Sequence, residues 1–507
     1  MFPKFDLLYV NPKKTSPSPQ LDMAMQSLLL NEVVEGISVN ILLQKQVYEL
    51  LRYPEQDPAN INWRLDILKD FRRNPALMHD LEHIHELERA LDDSLKIIKT
   101  STNATKTANG KTTSTGKDSS IFTVQTLADC VSKVLGIYEQ YKKVLDRSDV
   151  QSVLFNQIKD FVNSMVANPA FAELKEIAAE MTDSLNPNTS FVVLAKLDSY
   201  FRMRDCEIFR LTTDPYGYDP NGVPMQDKAL DVEFIGFEPE ADQQLQFLAE
   251  RAMVKMTNFM ESIVIQLKAP FDSINEGFFF YRFAQLLEQK YDKYALPFCL
   301  PEINTEGNVF ECKDIYDLWY SIKQAKKDPT KRPGDFLVPN DAIFDKDCAA
   351  YIITGKNNAG KTVFLRAVGV IQVLAQAGLP VPCKSAVITP VTNLFAYFTA
   401  LDIGQGRFEE EVETISGFVD IMQPNDMFLF NEVYQSTAYD EASIALSEFI
   451  AATCVLGARV ISVTHLPDMK KHMTELQDKY KFAGNIKYMK AEEVNGEATH
   501  KFIPDLD

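Results

Sequence analysis

Residues 351–362 have the sequence YIITGKNNAGKT, and this stretch constrains the fold around it more strongly than any other part of the chain. Its last eight residues fit the phosphate-binding template GxxxxGK[ST], whose fixed positions are Gly355, Gly360, Lys361 and Thr362. Glycines let backbone N–H groups converge on phosphate oxygens, and the following helix presents its positive N-terminal end to the same point. The pattern predicts a P-loop between a buried strand and a helix. The alternative is a chance match in an ordinary loop.

The chemistry of a P-loop assigns roles to polar side chains inside it and downstream of it. We expect Lys361 to contact the β- and γ-phosphates of a nucleoside triphosphate and the Thr362 hydroxyl to bind Mg²⁺. The apolar run that begins at Met427 ends in Asn431 and Glu432, where P-loop ATPases carry their metal-binding and water-orienting carboxylates. Glu432 is the candidate general base. Asn431 offers an acceptor oxygen to Mg²⁺ with one negative charge fewer than the usual aspartate. By itself, a buried strand that ends in Asn-Glu is more often structural.

A third candidate is the segment Ala458–His465, ARVISVTH, which has the composition of a buried parallel strand and ends in a histidine. In this context His465 is placed to sense the γ-phosphate or to position the attacking water. A single histidine at a strand end usually has a structural role, so this assignment depends on the other two motifs. Together the motifs predict an α/β P-loop ATPase domain over residues 331–507, with Lys361, Glu432 and His465 as its catalytic residues.

The composition is that of a soluble globular protein. At 507 residues the chain is too long for one core, so two to four domains are expected. No apolar stretch reaches the roughly 20 residues that a membrane span needs. The seven cysteines lack CxxC spacing and no secretory signal is visible, which predicts a reduced, cytoplasmic protein without a membrane partner. The net charge of −19 disfavours binding to nucleic acid, although one basic face can coexist with an acidic remainder.

Residues 1–330 are predicted to form a largely α-helical region. Apolar positions recur at helical spacing in residues 60–91, 123–182 and 240–266, whereas residues 191–213 are richer in β-branched and aromatic side chains. Residues 99–120 consist almost entirely of Thr, Ser, Lys, Asn and Gly, cannot bury a core, and predict a flexible insertion. From about residue 334 the order changes to strand, loop and helix, so the domain boundary is placed after residue 330.

Two features of the helical region invite a functional interpretation that we do not favour. His79 and His83 share a helical face at metal-ligand spacing, but without an identifiable Cys or carboxylate partner a surface helix is favoured over a zinc site. The lysines of the insertion suggest contact with a polyanion, but a solvated loop is favoured.

The segment that contains all three motifs resembles the ATPase domain of the MutS family of DNA mismatch-repair proteins. FLVPND at Phe336–Asp341 is similar to the family segment that packs on adenine, and LAQAGLPVPCKSAVI at Leu374–Ile388 is similar to the stretch after the P-loop helix. The resemblance implies an ABC-type ATPase that uses ATP and Mg²⁺, with Asp440 in the D-loop. The nucleotide-binding residues implied are Phe336, Leu337, Gly355, Asn357, Asn358, Ala359, Gly360, Lys361, Thr362, Gly406, Arg407 and Asp440, and the implied metal ligands are Thr362 and Asn431.

The chain departs from the family pattern at positions that bear on catalysis. Lys356 and Ala359 stand where the family P-loop has Pro and Gly. ABC-type ATPases dimerise so that the signature loop of one subunit touches the γ-phosphate held by the other. Here Gly406 and Arg407 replace the Ser-Thr pair of that loop. Arg407 offers a charged donor instead of a hydroxyl; the alternative is an impaired contact. The resemblance implies a homodimer that binds ATP, and the changed signature loop, together with Asn431, predicts slow hydrolysis.

The N-terminal region resembles the helical core and lever of the family more faintly, and no part of the sequence resembles its mismatch-recognition domain. The leading hypothesis is a divergent MutS-like ATPase that couples ATP binding to dimer closure and binds or remodels DNA structures in repair or recombination. The first alternative, favoured by the acidic charge, is a nucleotide-gated protein-binding scaffold with little hydrolysis and no mismatch recognition. A P-loop kinase or transporter-type ATPase is disfavoured, because no transmembrane segment is visible and the match after the P-loop is MutS-like.

Overall fold

The computed structural model describes residues 2–10, 19–107, 116–184, 190–197, 203–212, 239–344, 348–398, 407–434, 438–482 and 485–505. The chain divides into two compact units: unit 1 comprises Met1–Asp6 and Lys69–Glu276, and unit 2 comprises Leu7–Leu68 and Gly277–Asp507. The domain boundary predicted after residue 330 stays a prediction, because a division by compactness need not follow a division by sequence family.

The helices of the described residues are α1 Pro19–Ser27, α2 Leu30–Ile37, α3 Ile41–Leu51, α4 Pro58–Arg73, α5 Leu77–Thr107, α6 Gly116–Arg147, α7 Val153–Val166, α8 Pro169–Ser184, α9 Pro239–Lys268, α10 Asp272–Lys293, α11 Leu318–Lys327, α12 Lys361–Ala377, α13 Arg407–Ile421, α14 Tyr439–Leu456 and α15 Met469–Tyr480. The strands are β1 Ser190–Leu197, β2 Met203–Thr212, β3 Glu302–Ile303, β4 Phe310–Ile315, β5 Asn340–Phe344, β6 Cys348–Thr354, β7 Ser385–Ile388, β8 Leu394–Phe398, β9 Met427–Asn431, β10 Arg459–Val463, β11 Asn485–Val494 and β12 Glu497–Pro504.

In the residues that the structure describes, the regular elements of unit 1 are helices and the antiparallel pair β1 and β2, which lies where the sequence is rich in β-branched and aromatic residues. Its core contains an aromatic cluster in which Tyr141 stacks on Phe271 at 4.5 Å and the Tyr138 hydroxyl donates to the Leu267 carbonyl at 2.9 Å. Helices α5 and α6 extend into the predicted insertion as far as Thr107 and from Gly116, and residues 108–115 lie outside the described residues. Within the described part of the chain, no group of His, Cys, Asp and Glu side chains is arranged to hold a metal ion.

Unit 2 is built on a six-stranded sheet with the order β12-β11-β6-β10-β9-β8. Strand β6 pairs in parallel with both β10 and β11, β9 pairs in parallel with β10 and β8, and β12 alone is antiparallel to its neighbour. Parallel strands covered on both faces are continuously apolar, and β9 and β10 are buried at every position. The carboxyl ends of β6, β10 and β9 therefore lie side by side at one edge of the sheet. A smaller mixed sheet has the order β3-β7-β4-β5.

Helix α12 is the buried helix of unit 2. A Cβ atom added at Gly369 would lie 2.4 Å from the side chain of Leu28, which follows α1, and 2.7 Å from that of Leu429 of β9, so a larger residue would require these side chains to move. At the carboxyl end of α12, the buried Arg64 side chain donates to the carbonyl of Ala377 at 3.1 Å. This hydrogen bond satisfies one of the terminal carbonyls that a helix leaves without an internal partner.

No helix that the structure describes combines the length and the apolarity needed to cross a bilayer.

Candidate nucleotide-binding site

The loop between β6 and α12 has the backbone geometry that its sequence predicts. Gly355 has φ +143° and Gly360 has φ +89°, values that non-glycine residues rarely adopt. A Cβ atom at Gly355 would also lie 2.6 Å from the Cβ of Ala491 on β11, because the loop passes directly over that strand. The loop then leads into α12 at Lys361, so the positive end of the helix faces the enclosed space.

The Lys361 ammonium is held in the centre of the loop. Its Nζ donates to the carbonyl oxygens of Gly355 at 2.5 Å and Lys356 at 2.9 Å, and the residue is only 4% exposed. Burial lowers the pKa of Lys361, and the nearby Glu432 carboxylate partly opposes that shift. A cation fixed this way, at a helix N-terminus, is arranged to receive an anion.

Glu432 and His465 approach the same ammonium from the two neighbouring strand ends. The Glu432 Oε1 atom lies 3.7 Å from Lys361 Nζ and 3.1 Å from His465 Nε2. The same Nε2 lies 2.8 Å from Lys361 Nζ and 2.9 Å from Asn357 Oδ1. Burial and then the Lys361 charge lower the pKa of His465. The neutral imidazole accepts through Nε2 from Lys361 in one tautomer and donates through Nε2 to Glu432 or Asn357 in the other, so these contacts are alternatives.

The position beside α12 that the sequence predicts for Mg²⁺ contains two adjacent oxygen atoms. The Thr362 hydroxyl donates to Oδ1 of Asn431 at 3.0 Å, and Asn431 is buried at the end of β9. Magnesium prefers hydroxyl, amide, carboxylate and water oxygens, so this pair fits the metal. The Asn431 amide contributes no charge.

A cavity of about 730 Å³ opens beside these groups. Its volume lies in the usual range for small-molecule and cofactor sites. Its lining residues are Ile315, Tyr316, Asp317, Tyr320, Phe336, Leu337, Val338, Asn340, Asn357, Asn358, Ala359, Gly360, Lys361, Thr362, Val363, Phe364, Ala367, Asn431, Glu432 and His500. The cavity thus brings together the predicted base-contacting pair Phe336 and Leu337 with the predicted phosphate- and metal-binding side chains.

Among the predicted residues that the structure describes, Gly355, His465 and Asp440 do not line this cavity, although the first two contact Lys361. Asp440 is exposed in the first turn of α14 and does not line it. Gly406 lies outside the described residues. Arg407 is the first residue of α13, but its side chain is outside the description. Their assignment to a contact between subunits stays a prediction.

His500 and Glu411 are among the residues of the site that the sequence analysis did not identify. His500 of β12 lines the cavity, and its Nδ1 would lie 3.4 Å from a Cβ atom at Gly360. Glu411 of α13 is fully buried, and its Oε2 accepts a hydrogen bond at 3.1 Å from the backbone N–H of Tyr434. Glu432 and Tyr434 both have left-handed backbone conformations, with φ 58° and 62°. The Glu411 carboxylate therefore stabilises a strained loop that begins at the candidate general base.

Comparison with known proteins assigns the same residues to one family. Residues 351–502, from β6 to β12, match the family described as MutS domain V. Endonuclease MutS2 of Bacillus mycoides (strain KBAB4) is 33% identical over 163 residues, which are 30% of this chain and 20% of that protein. Endonuclease MutS2 of Bacillus cereus (strain Q1) is 25% identical over 357 residues, 68% of this chain and 43% of that protein.

DNA mismatch repair protein MutS of Caldicellulosiruptor saccharolyticus is 35% identical over 150 residues, which are 28% of this chain and 17% of that protein. This chain thus matches less than half the length of each of these curated relatives. The matched residues include the P-loop, the strand ends that carry Glu432 and His465, and the hairpin that carries His500. Residues 351–502 are thus similar to MutS domain V and to the matching parts of MutS2 and MutS proteins.

Proposed function

We propose that this chain is a MutS-like, ABC-type ATPase that binds ATP and Mg²⁺ in the cavity beside the P-loop, closes as a homodimer around the nucleotide, and uses that closure to bind or remodel DNA structures. The observation that carries the proposal is the convergence of Lys361, Glu432 and His465 from three adjacent strand ends on one P-loop. A structural ion pair would not need a helix N-terminus, two left-handed glycines and an adjoining cavity around it.

The residues present fit ATP and Mg²⁺, and the chemistry supplied by the bound pair is polarisation of the terminal phosphate. Lys361 and the loop N–H groups hold the β- and γ-phosphates, and the Thr362 hydroxyl and the Asn431 amide oxygen serve the cation. Glu432 orients the attacking water and accepts its proton as the bond to the γ-phosphorus forms and the bond to the bridging oxygen breaks. His465 reports on the γ-phosphate. Phe336 and His500 also line the cavity, and their rings are the candidates to contact the base.

Hydrolysis in this site should be slow. Asn431 removes one negative charge from the cation's surroundings, and Gly406 removes a hydroxyl from the signature loop that would meet the partner's γ-phosphate. Retained nucleotide binding with slow turnover suits a protein whose output is the closed dimer.

Replacing the general base should make the ATP-bound dimer accumulate. Glu432→Gln is expected to show this dimer, measured by light scattering with and without ATP. A variant that stays monomeric with ATP would contradict the proposed closure.

A second function has specific support in the chain. The net charge of −19 and the neutral Asn431 both favour a nucleotide-gated scaffold that binds another protein and turns over little ATP. The names of the relatives, Endonuclease MutS2 and DNA mismatch repair protein MutS, support the DNA-binding proposal instead. Gel-shift titrations with duplex and branched DNA at several salt concentrations separate the two. DNA contact through phosphates must weaken steeply as salt rises, whereas no shift at low salt, with or without ATP, would favour the scaffold.

The most direct test measures ATP binding and hydrolysis with and without a panel of DNA structures, using two lysines of the same loop. Lys361→Ala removes a buried ammonium that makes charge-assisted hydrogen bonds, so ATP affinity should fall about 100-fold or more. Lys356→Ala is the matched control, because this lysine is 65% exposed and ion-paired at 2.6 Å with Glu493. Exposed pairs contribute little, so its ATP affinity should change by less than about threefold. Equal affinities for both variants would defeat the site assignment.

A further inference from the structure

A cluster of thiols lies behind the candidate nucleotide cavity. Cys299 forms an isolated antiparallel bridge with Val381, with N–H···O distances of 3.2 and 2.9 Å in the two directions. The backbone N–H of Cys383 donates a hydrogen bond to the carbonyl of Val381 at 2.9 Å. This turn brings the Cys383 side chain beside that of Cys299. The two Sγ atoms are 3.6 Å apart. The bridge fixes the backbone on both sides, so the proximity of the sulfur atoms does not depend on one side-chain rotamer alone.

The two thiols differ in access. Cys299 is partly exposed, whereas Cys383 is fully buried and also forms a hydrogen bond with the buried Cys312 of β4. The contact with Cys299 lowers the pKa of Cys383, but the hydrogen bond with Cys312 and burial outweigh it, so the pKa lies well above that of an ordinary thiol. Reaction with a soluble reagent is therefore expected to begin at Cys299, since this is the partly exposed residue of the pair and the thiolate is the attacking species.

Tyr316 connects the thiol pair to the cavity. Its hydroxyl donates to the carbonyl of Pro297 at 2.7 Å, and its backbone N–H donates to the carbonyl of Pro382 at 3.3 Å. Pro297 lies two residues before Cys299, and Pro382 directly precedes Cys383. Tyr316 itself lines the cavity. A covalent bond between the two sulfur atoms would thus pull on the backbone near both carbonyl groups that accept hydrogen bonds from Tyr316.

We propose that Cys299 and Cys383 form a modification site that low-molecular-weight disulfides oxidise, and that the resulting internal disulfide weakens nucleotide binding through Tyr316. In the first step the Cys299 thiolate attacks glutathione disulfide, which forms a mixed disulfide and releases one glutathione thiolate. In the second step Cys383 loses its proton as it attacks the Cys299 sulfur, which closes the internal disulfide and releases the second glutathione as a thiolate that takes up a proton. Two protein thiols are oxidised and one glutathione disulfide is reduced to two glutathione molecules.

Formation of the disulfide requires the two sulfur atoms to move, and this movement should change the cavity at Tyr316. A disulfide bond is about 2.05 Å long, so the sulfur atoms at 3.6 Å must approach by roughly 1.5 Å. We expect the backbone at Pro297 and Pro382 to follow part of that displacement and one hydrogen bond of Tyr316 to break, and one hydrogen bond corresponds to about a fivefold change in an equilibrium constant. This second part of the inference rests on the proposed function, because it assumes that the cavity binds a nucleotide.

The experiment treats the full chain with glutathione disulfide at pH 8.5, alkylates the remaining thiols under denaturing conditions and maps tryptic peptides by mass spectrometry. The expected product links Tyr294–Lys313 to Ala367–Lys384, is cleaved by dithiothreitol and is absent from Cys299→Ala. Because the first peptide also contains Cys312, the Cys312→Ala variant is the matched control and must still form the link. A glutathione adduct that stays on Cys299, or a link that survives Cys299→Ala, would overturn the site.

ATP affinity is then measured by calorimetry on the reduced and oxidised chain. We expect about fivefold weaker binding after oxidation, restored by dithiothreitol and absent from Cys299→Ala. An internal disulfide that leaves ATP affinity unchanged would overturn the link through Tyr316. If the reduced chain binds no ATP at all, the proposed function fails, and the peptide map still decides whether the thiol pair exists.

Discussion

The first glycine of the P-loop offers the sharpest test of the geometry described above. Gly355 adopts φ +143°, and a Cβ atom there would lie 2.6 Å from the Cβ of Ala491 and 3.3 Å from its backbone nitrogen. Non-bonded carbon atoms prefer separations of about 3.5–4.0 Å. Gly355→Ala must therefore both force an unfavourable backbone conformation and push the loop away from β11.

Two costs contribute to the predicted loss of stability. A non-glycine residue in such a backbone region costs about 1–3 kcal/mol, and an extra carbon in a tightly packed contact costs about 1–3 kcal/mol. Their sum is about 4 kcal/mol. Gly457→Ala is the control for the backbone cost, because Gly457 has φ +83° and no described atom lies within 4 Å of its added Cβ. That variant should lose only about 1–2 kcal/mol.

The assay is urea denaturation followed by circular dichroism, with ATP affinity measured on the same preparations. Gly355→Ala should shift the urea midpoint more than Gly457→Ala and should also weaken ATP binding. The double variant Gly355→Ala with Ala491→Gly removes the Cβ–Cβ contact and should recover about half of the loss, as expected for two residues that interact directly. Equal midpoints for the two single variants, or no recovery in the double variant, would refute the close approach of the loop to β11.

Three further predictions use the electrostatics of the two units. The His465 ring should titrate below the ordinary histidine value of 6.5, because burial and the Lys361 charge disfavour its protonated form; an NMR midpoint above 6.5 would contradict this. Glu411→Leu should reduce kcat for ATP with little effect on KM and should increase hydrogen exchange at the Tyr434 amide. Glu411→Gln keeps an acceptor oxygen, so its kcat and its hydrogen exchange should stay close to those of the unchanged chain. Equal behaviour of the two variants would contradict a positioning role. Burial raises the pKa of Glu88 from 4.5 to about 7. Between those values the folded chain binds more protons than the unfolded chain, so the stability of unit 1 falls as pH rises through that window. Glu88→Gln should flatten this dependence by about 3 kcal/mol in denaturation at pH 5 and pH 8, and an unchanged pH dependence would count against it.

The sequence predicted the parts of the site that depend on local chain geometry. A P-loop is defined within one loop, so Gly355, Gly360 and Lys361 were predictable from their spacing. The strand ends that carry Glu432 and His465 were predictable because buried parallel strands are short, apolar and bounded by turns. The structure adds the order of these strands in the sheet, which no local pattern encodes.

Long-range contacts account for what the sequence analysis missed. His500 lies on a hairpin whose strand is separated from the P-loop by more than a hundred residues, and nothing in EATHKFIP marks its histidine as a cavity residue. The burial of Glu411 is set by packing of α13 against the loop after β9, whereas its sequence context, a run of three glutamates, indicates a solvated helix face. Likewise, the membership of residues 7–68 in unit 2 depends on contacts such as that between Arg64 and Ala377.

If the proposed function holds, the alternative contacts of His465 give the site a way to distinguish two nucleotide states. The ring nitrogen Nε2 and the Glu432 carboxylate both lie within 4 Å of the Lys361 ammonium. We infer that a γ-phosphate competes for that ammonium, because its charge-assisted hydrogen bonds are stronger than a bond to a neutral imidazole. His465 then loses its donor, its Nε2 takes the proton, and it donates to Glu432 or Asn357 instead. The general base would thus receive its orienting hydrogen bond only when a triphosphate is bound, so a chain with slow hydrolysis can still report nucleotide binding through the same three side chains.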